Sequence, residues 1–159
     1  MAEQLSMPEV GDKAPSFSGK DQSGNPVKLA DFKGKKLVLY FYPKDNTPGC
    51  TKQACNLRDG QSELRKRGIA VVGVSKDDAA SHKKFADKYD LPFQLLVDED
   101  LAVTKRYGAY GEKNMYGRKS MGVKRTTFLI DEDGFVSHVF KRPKTAQHTQ
   151  EIVSKLENS

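Results

Sequence analysis

An α/β domain with a mixed central sheet, helices on both faces and an N-terminal β-hairpin is the fold class this sequence predicts, and three observations predict it. Two continuously apolar runs, Leu37-Val38-Leu39-Tyr40-Phe41 and Ile69-Ala70-Val71-Val72-Gly73-Val74, suit strands buried on both faces. Strand-like and helical stretches alternate along the chain, the pattern of an α/β domain. Near the end, two strand-like segments at 126–130 and 135–140 flank Asp131-Glu132-Asp133-Gly134 and form a hairpin, which makes the sheet mixed. A length of 159 residues fits one domain, expected over 1–159.

The elements follow in order. Phe17, Val27 and Leu29 flank the turn-prone Asp21-Gln22-Ser23-Gly24-Asn25 and predict a small hairpin. The buried strand at 37–41 ends at Pro43, whose ring removes a ladder donor. After the loop at 44–49, a helix is expected from Cys50 to Arg67, with Gly68 as its C-terminal stop. Cys50, Ala54, Leu57 and Leu64 share one face of it, while Gly60 weakens it by about 1 kcal/mol relative to alanine. A strand at 69–74, a helix at 79–89, a strand at 93–97 and a short helix at 101–107 come next. The segment 108–124 sets Tyr110, Met115 and Tyr116 among glycines and charges and reads as a long ordered loop. A helix capped by Thr145, apolar at Ile152, Val153 and Leu156, closes the chain.

Composition excludes several classes of function. The longest apolar runs fall far short of the roughly 18 residues a membrane span needs. The first six residues hold an acid and no hydrophobic stretch, so no secretory signal is expected and a cytoplasmic protein is. The net charge of +6 raises nucleic acid as a partner, but the basic residues stand in short groups such as Lys35-Lys36 and Lys124-Arg125. With no basic arm, tryptophan or zinc-finger spacing, the charge reads as a solvated surface and no nucleic-acid partner is expected. The only two cysteines, Cys50 and Cys55, point to redox chemistry rather than a structural staple. Zinc held by these cysteines with His82, His138 or His148 would need paired ligands at close spacing, and the histidines are scattered singly. A thioredoxin-like dithiol oxidoreductase would want two residues between its cysteines, and this chain has four.

The chemistry concentrates in Tyr42-Pro43-Lys44-Asp45-Asn46-Thr47-Pro48-Gly49-Cys50-Thr51, between a buried strand and a helix start. A cysteine in a first helical turn meets unpaired backbone N–H groups and the positive end of the helix dipole, both of which favour thiolate over thiol. The alternative role for Cys50 is a small buried hydrophobe. Full ionisation of an ordinary thiol at pH 7 gains only roughly thirty-fold in reactive species, about 2 kcal/mol, and less after the accompanying loss of nucleophilicity. A fast reaction therefore needs donors that stabilise its transition state as well.

This segment resembles the peroxiredoxin signature Pro-x-x-x-Thr-x-x-Cys, met by Pro43, Thr47 and Cys50. With Cys55 five residues on, Thr47-Pro48-Gly49-Cys50-Thr51 is similar to the peroxiredoxin Q group, also called bacterioferritin comigratory proteins. Gly11-Asp12-Lys13-Ala14-Pro15 and Arg125-Thr126-Thr127-Phe128-Leu129-Ile130-Asp131 fit the same pattern in order, so the resemblance covers nearly the whole chain. It implies a thioredoxin-like fold and reduction of hydrogen peroxide and organic hydroperoxides through a cysteine sulfenic acid, without a cofactor. It also implies recycling by thioredoxin or a similar dithiol reductant, and a monomer. By the same resemblance Cys50 is the peroxidatic nucleophile, Cys55 the resolving thiol, Thr47 a hydroxyl beside thiolate and peroxide, Arg125 the positive partner and Pro43 a shielding wall. Thr47 also fits a turn hydroxyl, Arg125 an ordinary strand end and Pro43 a strand terminator. The implied Cys50–Cys55 bridge conflicts with an intact helix. Residues five apart lie roughly 8.7 Å apart between Cα atoms on an α-helix, against the about 4.4–6.8 Å of a disulfide, so oxidation is expected to melt residues 51–56.

Overall fold

A computed structural model describes residues 7–115 and 117–157. The expected first hairpin forms as an antiparallel pair, β1 (Ser18–Lys20) and β2 (Pro26–Lys28). Asp21 ties its turn, its carboxylate accepting the N–H groups of Ser23 and Asn25 at 2.8 and 3.0 Å. The chain then enters β3 (Lys36–Phe41), α1 (Pro48–Asp59), α2 (Gln61–Lys66), β4 (Ile69–Ser75), α3 (Ala79–Tyr89), β5 (Gln94–Val97) and α4 (Ala102–Arg106). After these come β6 (Tyr110–Met115), β7 (Arg118–Val123), β8 (Thr126–Ile130), β9 (Val136–Phe140) and α5 (His148–Glu157).

The central sheet has the order β5-β4-β3-β8-β9. β3 pairs parallel with β4 (Leu39 opposite Val72) and antiparallel with β8 (Leu39 opposite Phe128), so the sheet is mixed as expected. β3 is apolar from Leu37 onward because alternate residues enter two separate cores. Val38, Tyr40 and Tyr42 pack under Ala54 and Leu57 of α1, Leu64 of α2, Phe85 of α3 and Ile152 of α5. Leu37, Leu39 and Phe41 pack on the other side with Val103 of α4, Tyr107, Val123 and Phe17. Helices therefore lie on both faces but unequally, with α4 and a 3-10 turn at Leu29–Phe32 on the second among the described residues.

Three expectations are corrected. The long helix begins two residues earlier, at Pro48, because proline at a first helical position has the right φ and needs no N–H partner. It also breaks at Gly60 into α1 and α2. A Cβ at Gly60 would collide with the Thr149 side chain, so only glycine lets α5 approach the break. Gly60→Ala is expected to destabilise the protein by about 1–3 kcal/mol despite alanine's better helix propensity. A rise in chemical-denaturation midpoint would contradict this packing.

The second correction concerns 108–124, which is a β-ribbon and not a loop. β6 and β7 pair from Tyr110–Val123 to Met115–Arg118, and just before β7 Gly117 takes φ +79°. Its root is fastened to the second core by Ala109 and Val123, with Lys124 N–H donating to the Ala109 carbonyl at 2.6 Å. Thirdly, Thr145 does not cap the last helix. Thr145–Gln147 forms a 3-10 turn, and α5 starts at His148. One of its N-terminal N–H groups is met from across the fold, Asn56 Oδ1 accepting Thr149 N–H at 2.7 Å. Among the described residues, no helix is long and apolar enough to cross a membrane.

Candidate active site

The site lies where β3 gives way to α1. Tyr42 N–H donates to the Val74 carbonyl at 3.1 Å as the last rung beside β3, and half-buried Pro43 then ends the ladder. Thr47 has the extended backbone of an N-cap but its side chain makes no cap bond; its hydroxyl donates instead to the Lys44 carbonyl at 2.9 Å. Thr47 thus does bond its own loop, and its oxygen keeps lone pairs that can accept a hydrogen bond. The first helical bond runs from Thr51 N–H to the Thr47 carbonyl at 2.8 Å. The N–H groups of Gly49 and Cys50, second and third residues of α1, therefore have no acceptor within the helix.

Cys50 sits at this positive helix end, 1% exposed. Arg125, in the step from β7 to β8, places Nη2 3.2 Å from its sulfur and Nη1 2.7 Å from Gln53 Oε1. A planar fork holding two acceptors at once has little freedom to turn away from the sulfur. Gly49 makes room for it, since a Cβ there would lie 3.1 Å from Nη2. Gln53 escaped the sequence reading, although its place one turn after Cys50 on the same helical face was available as a signal. It is fully buried, and its Nε2 has no partner among the described residues.

Beneath the sulfur, Tyr40 and Tyr42 stack at 5.3 Å between ring centroids. Burial, with the Cys50 sulfur and Asp45 adding to it, holds the Tyr40 phenol well above its ordinary pKa. Burial followed by Tyr40 and Asp45 does the same for Tyr42, so both rings are neutral packing. Behind Arg125, the buried His148 ring meets Thr127 Oγ1 at 2.8 Å and Glu151 Oε1 at 3.0 Å. Burial pushes its pKa down, with the Arg125 charge adding to that and Glu151 opposing it. A neutral ring fits these partners, with Nδ1–H donating to Glu151 and Nε2 accepting from the threonine hydroxyl.

The structure thus joins Cys50 directly to Arg125, with Thr47 and Pro43 on the loop that leads into the same helix. Cys55 is a half-buried free thiol on the intact α1, five residues along from the free thiol of Cys50. Among the described residues, one group of potential metal ligands gathers, Asp45, Asp77 and His82, and it includes neither cysteine. The two His82 nitrogens there face the Asp45 carboxylate and the Leu96 carbonyl, which leaves no lone pair for an ion.

The AhpC/TSA family model matches residues 10–139. The putative peroxiredoxin Bcp of Coxiella burnetii is 51% identical over 148 residues, 93% of this chain and 98% of its own. Peroxiredoxin Bcp of Escherichia coli K12 is 47% identical over 148 residues, 93% and 95% of the two chains. Among solved structures, a cysteine-to-serine mutant of Xanthomonas campestris peroxiredoxin Q superposes with TM-score 0.86 at 33% identity, covering 94% of this chain and 98% of that one. The X. campestris bacterioferritin comigratory protein, solved as trapped intermediate and ligand complexes bearing on its alkyl peroxide reduction activity, gives TM-score 0.86 at 32% identity over the same shares.

Proposed function

Because this chain belongs to the AhpC/TSA family as a thioredoxin-fold peroxiredoxin of the Q/Bcp type, a thiol-dependent peroxidase, we propose that Cys50 is its peroxidatic nucleophile, with Arg125 and Thr47 as partners at the reacting oxygens and Cys55 as the resolving thiol. The observation that carries this reading is the Arg125 guanidinium 3.2 Å from a buried sulfur at a helix start. The Cys50 thiolate attacks one peroxide oxygen, an S–O bond forms and the O–O bond breaks. The leaving oxygen departs as alkoxide or hydroxide, takes up a proton and becomes an alcohol or water, leaving Cys50 as a sulfenic acid. Charge builds on the leaving oxygen, and the Arg125 fork and the free N–H groups of Gly49 and Cys50 are donors for it. The Thr47 oxygen accepts from the peroxide hydroxyl, and Pro43 helps keep water from the sulfur. Alkyl hydroperoxides and hydrogen peroxide are the proposed substrates.

In resolution, Cys55 sulfur attacks Cys50 sulfur, the S–O bond breaks and water leaves. An external dithiol then reduces the bridge and becomes a disulfide itself; thioredoxin or a similar protein is the proposed partner, and a monomeric single-domain enzyme the proposed form. The helix must open first, since its two cysteines stand too far apart for a bridge. An anchor bounds that opening at the far end. The Asn56 amide donates to the Ala146 carbonyl at 3.0 Å, and its backbone carbonyl accepts the Thr149 hydroxyl at 2.9 Å. With Asn56 clasped to α5, the segment before it can unwind while the rest of α1 stays docked. One equivalent of peroxide is expected to consume both thiols and yield a mapped Cys50–Cys55 bridge. Amide-exchange protection should fall over 51–56 and recover on reduction. A bridge formed with protection unchanged would contradict the unwinding step.

A further inference from the structure

We propose that His82 is a positioning residue for peroxide reduction: as a buried imidazolium paired with Asp45, it pins the loop that carries Pro43 and Thr47 to the mouth of α1. The geometry sets the charge state. His82 Nε2 lies 3.0 Å from the Leu96 carbonyl of β5, which can only accept, so Nε2 carries a proton. Nδ1 lies 2.7 Å from Asp45 Oδ2. That carboxylate already accepts the Ser81 hydroxyl at 2.8 Å on Oδ2 and the Tyr42 hydroxyl at 2.6 Å on Oδ1. With two hydroxyls already donating to it, Asp45 is an acceptor throughout, and Nδ1 must donate as well. His148, with one acceptor and one hydroxyl, is neutral by the same reasoning.

The pair acts on the loop from below. Asp45 N–H donates to Asp77 Oδ2 at 2.8 Å, and that oxygen also accepts the Ser75 hydroxyl at 2.6 Å. The next residue, Asn46, is held at φ +59° and accepts the Tyr89 hydroxyl at 3.2 Å. Thr47 follows immediately, its hydroxyl oriented by the Lys44 carbonyl within the same five-residue segment. Without the His82 charge, two carboxylates, Asp45 and Asp77, would face each other beside the loop, and the loop would shift to relieve their repulsion.

The groups facing the ring are Tyr42 from beside β3, Asp45 from the loop, Asp77 from the step between β4 and α3, and the Leu96 carbonyl of β5. Burial disfavours the charged ring, but the Asp45 bond and charge, the Leu96 carbonyl and Asp77 together outweigh it and raise the His82 pKa above the ordinary value. The linked stability is complete below the ordinary histidine value of about 6.5 and is lost as pH rises through the raised one. Thiol ionisation works in the opposite sense, adding rate as pH rises, so the two contributions are separable.

The inference rests on the roles given to Cys50 and Thr47, and its test has a readout independent of activity. Nitrogen-detected NMR of the wild type should show both His82 ring nitrogens protonated at pH 7. The second-order rate constant with hydrogen peroxide, corrected for thiolate fraction, should fall at higher pH with the midpoint of that ring's titration. His82→Gln and Asp45→Asn should react about tenfold slower at pH 7 from loop misplacement and should lack the alkaline fall. A neutral His82 ring at pH 7, or a corrected rate flat through its titration, overturns the proposal. If the variants fail to fold, the two wild-type titrations still decide. Failure of the Cys50 assignment is distinguishable, because it leaves Cys50→Ser active and the His82 resonances unchanged.

Discussion

Replacing Cys50 by serine is expected to abolish hydroperoxide consumption while leaving the fold intact. Serine nearly matches cysteine in volume, and the Arg125 donor now 3.2 Å from the sulfur would meet an oxygen acceptor instead, so little packing is lost. Chemistry is what disappears: an alcohol is un-ionised at neutral pH, and its oxygen cannot take a second oxygen from a peroxide. Cys55→Ser separates the two thiols. It should consume one equivalent and stop at the sulfenic acid, or overoxidise, unless a small thiol is supplied. Steady peroxide turnover by Cys50→Ser would place the nucleophile elsewhere.

Arg125→Ala is expected to slow the reaction with peroxide by about 10²–10³-fold, the usual loss when one preorganised donor to a developing anion is removed. Two effects contribute. The guanidinium favours thiolate over thiol at the sulfur, and it stands where the leaving oxygen gains charge. Raising the pH until the thiol is fully ionised restores only the first. Arg125→Lys should recover little, because a single ammonium cannot bond Gln53 and face the sulfur together as the fork does. Complete recovery of Arg125→Ala at high pH would reduce Arg125 to a device for ionising the thiol.

The strands of the central sheet were legible because burial on both faces forces unbroken apolar runs, as at Leu37 and Val72. The ribbon of β6 and β7 was not. It carries exposed Arg118, Lys119 and Met121 and glycines at 111, 117 and 122, so neither apolar alternation nor branched side chains mark it as strand. The cap of α5 was misread at Thr145 because its acceptor, Asn56, is 93 residues away from Thr149. The same division holds in the site. The spacing from Pro43 through Thr47 to Cys50 is local, and Arg125 entered through a resemblance to a family motif. Gln53 was within reach at one helical turn from Cys50. Nothing in one dimension relates Asp45 to His82, which meet only because α3 returns over the end of β3.

Peroxide is expected to oxidise the sulfur of Cys50 and no other atom of this chain. The most direct test treats Cys55→Ser with one equivalent of hydrogen peroxide in the presence of dimedone, which adds to sulfenic acids, and maps the label by peptide mass. A single adduct is expected on the peptide containing Cys50, formed at the rate of peroxide loss. Stoichiometric peroxide loss with no adduct on that peptide would contradict oxidation at Cys50.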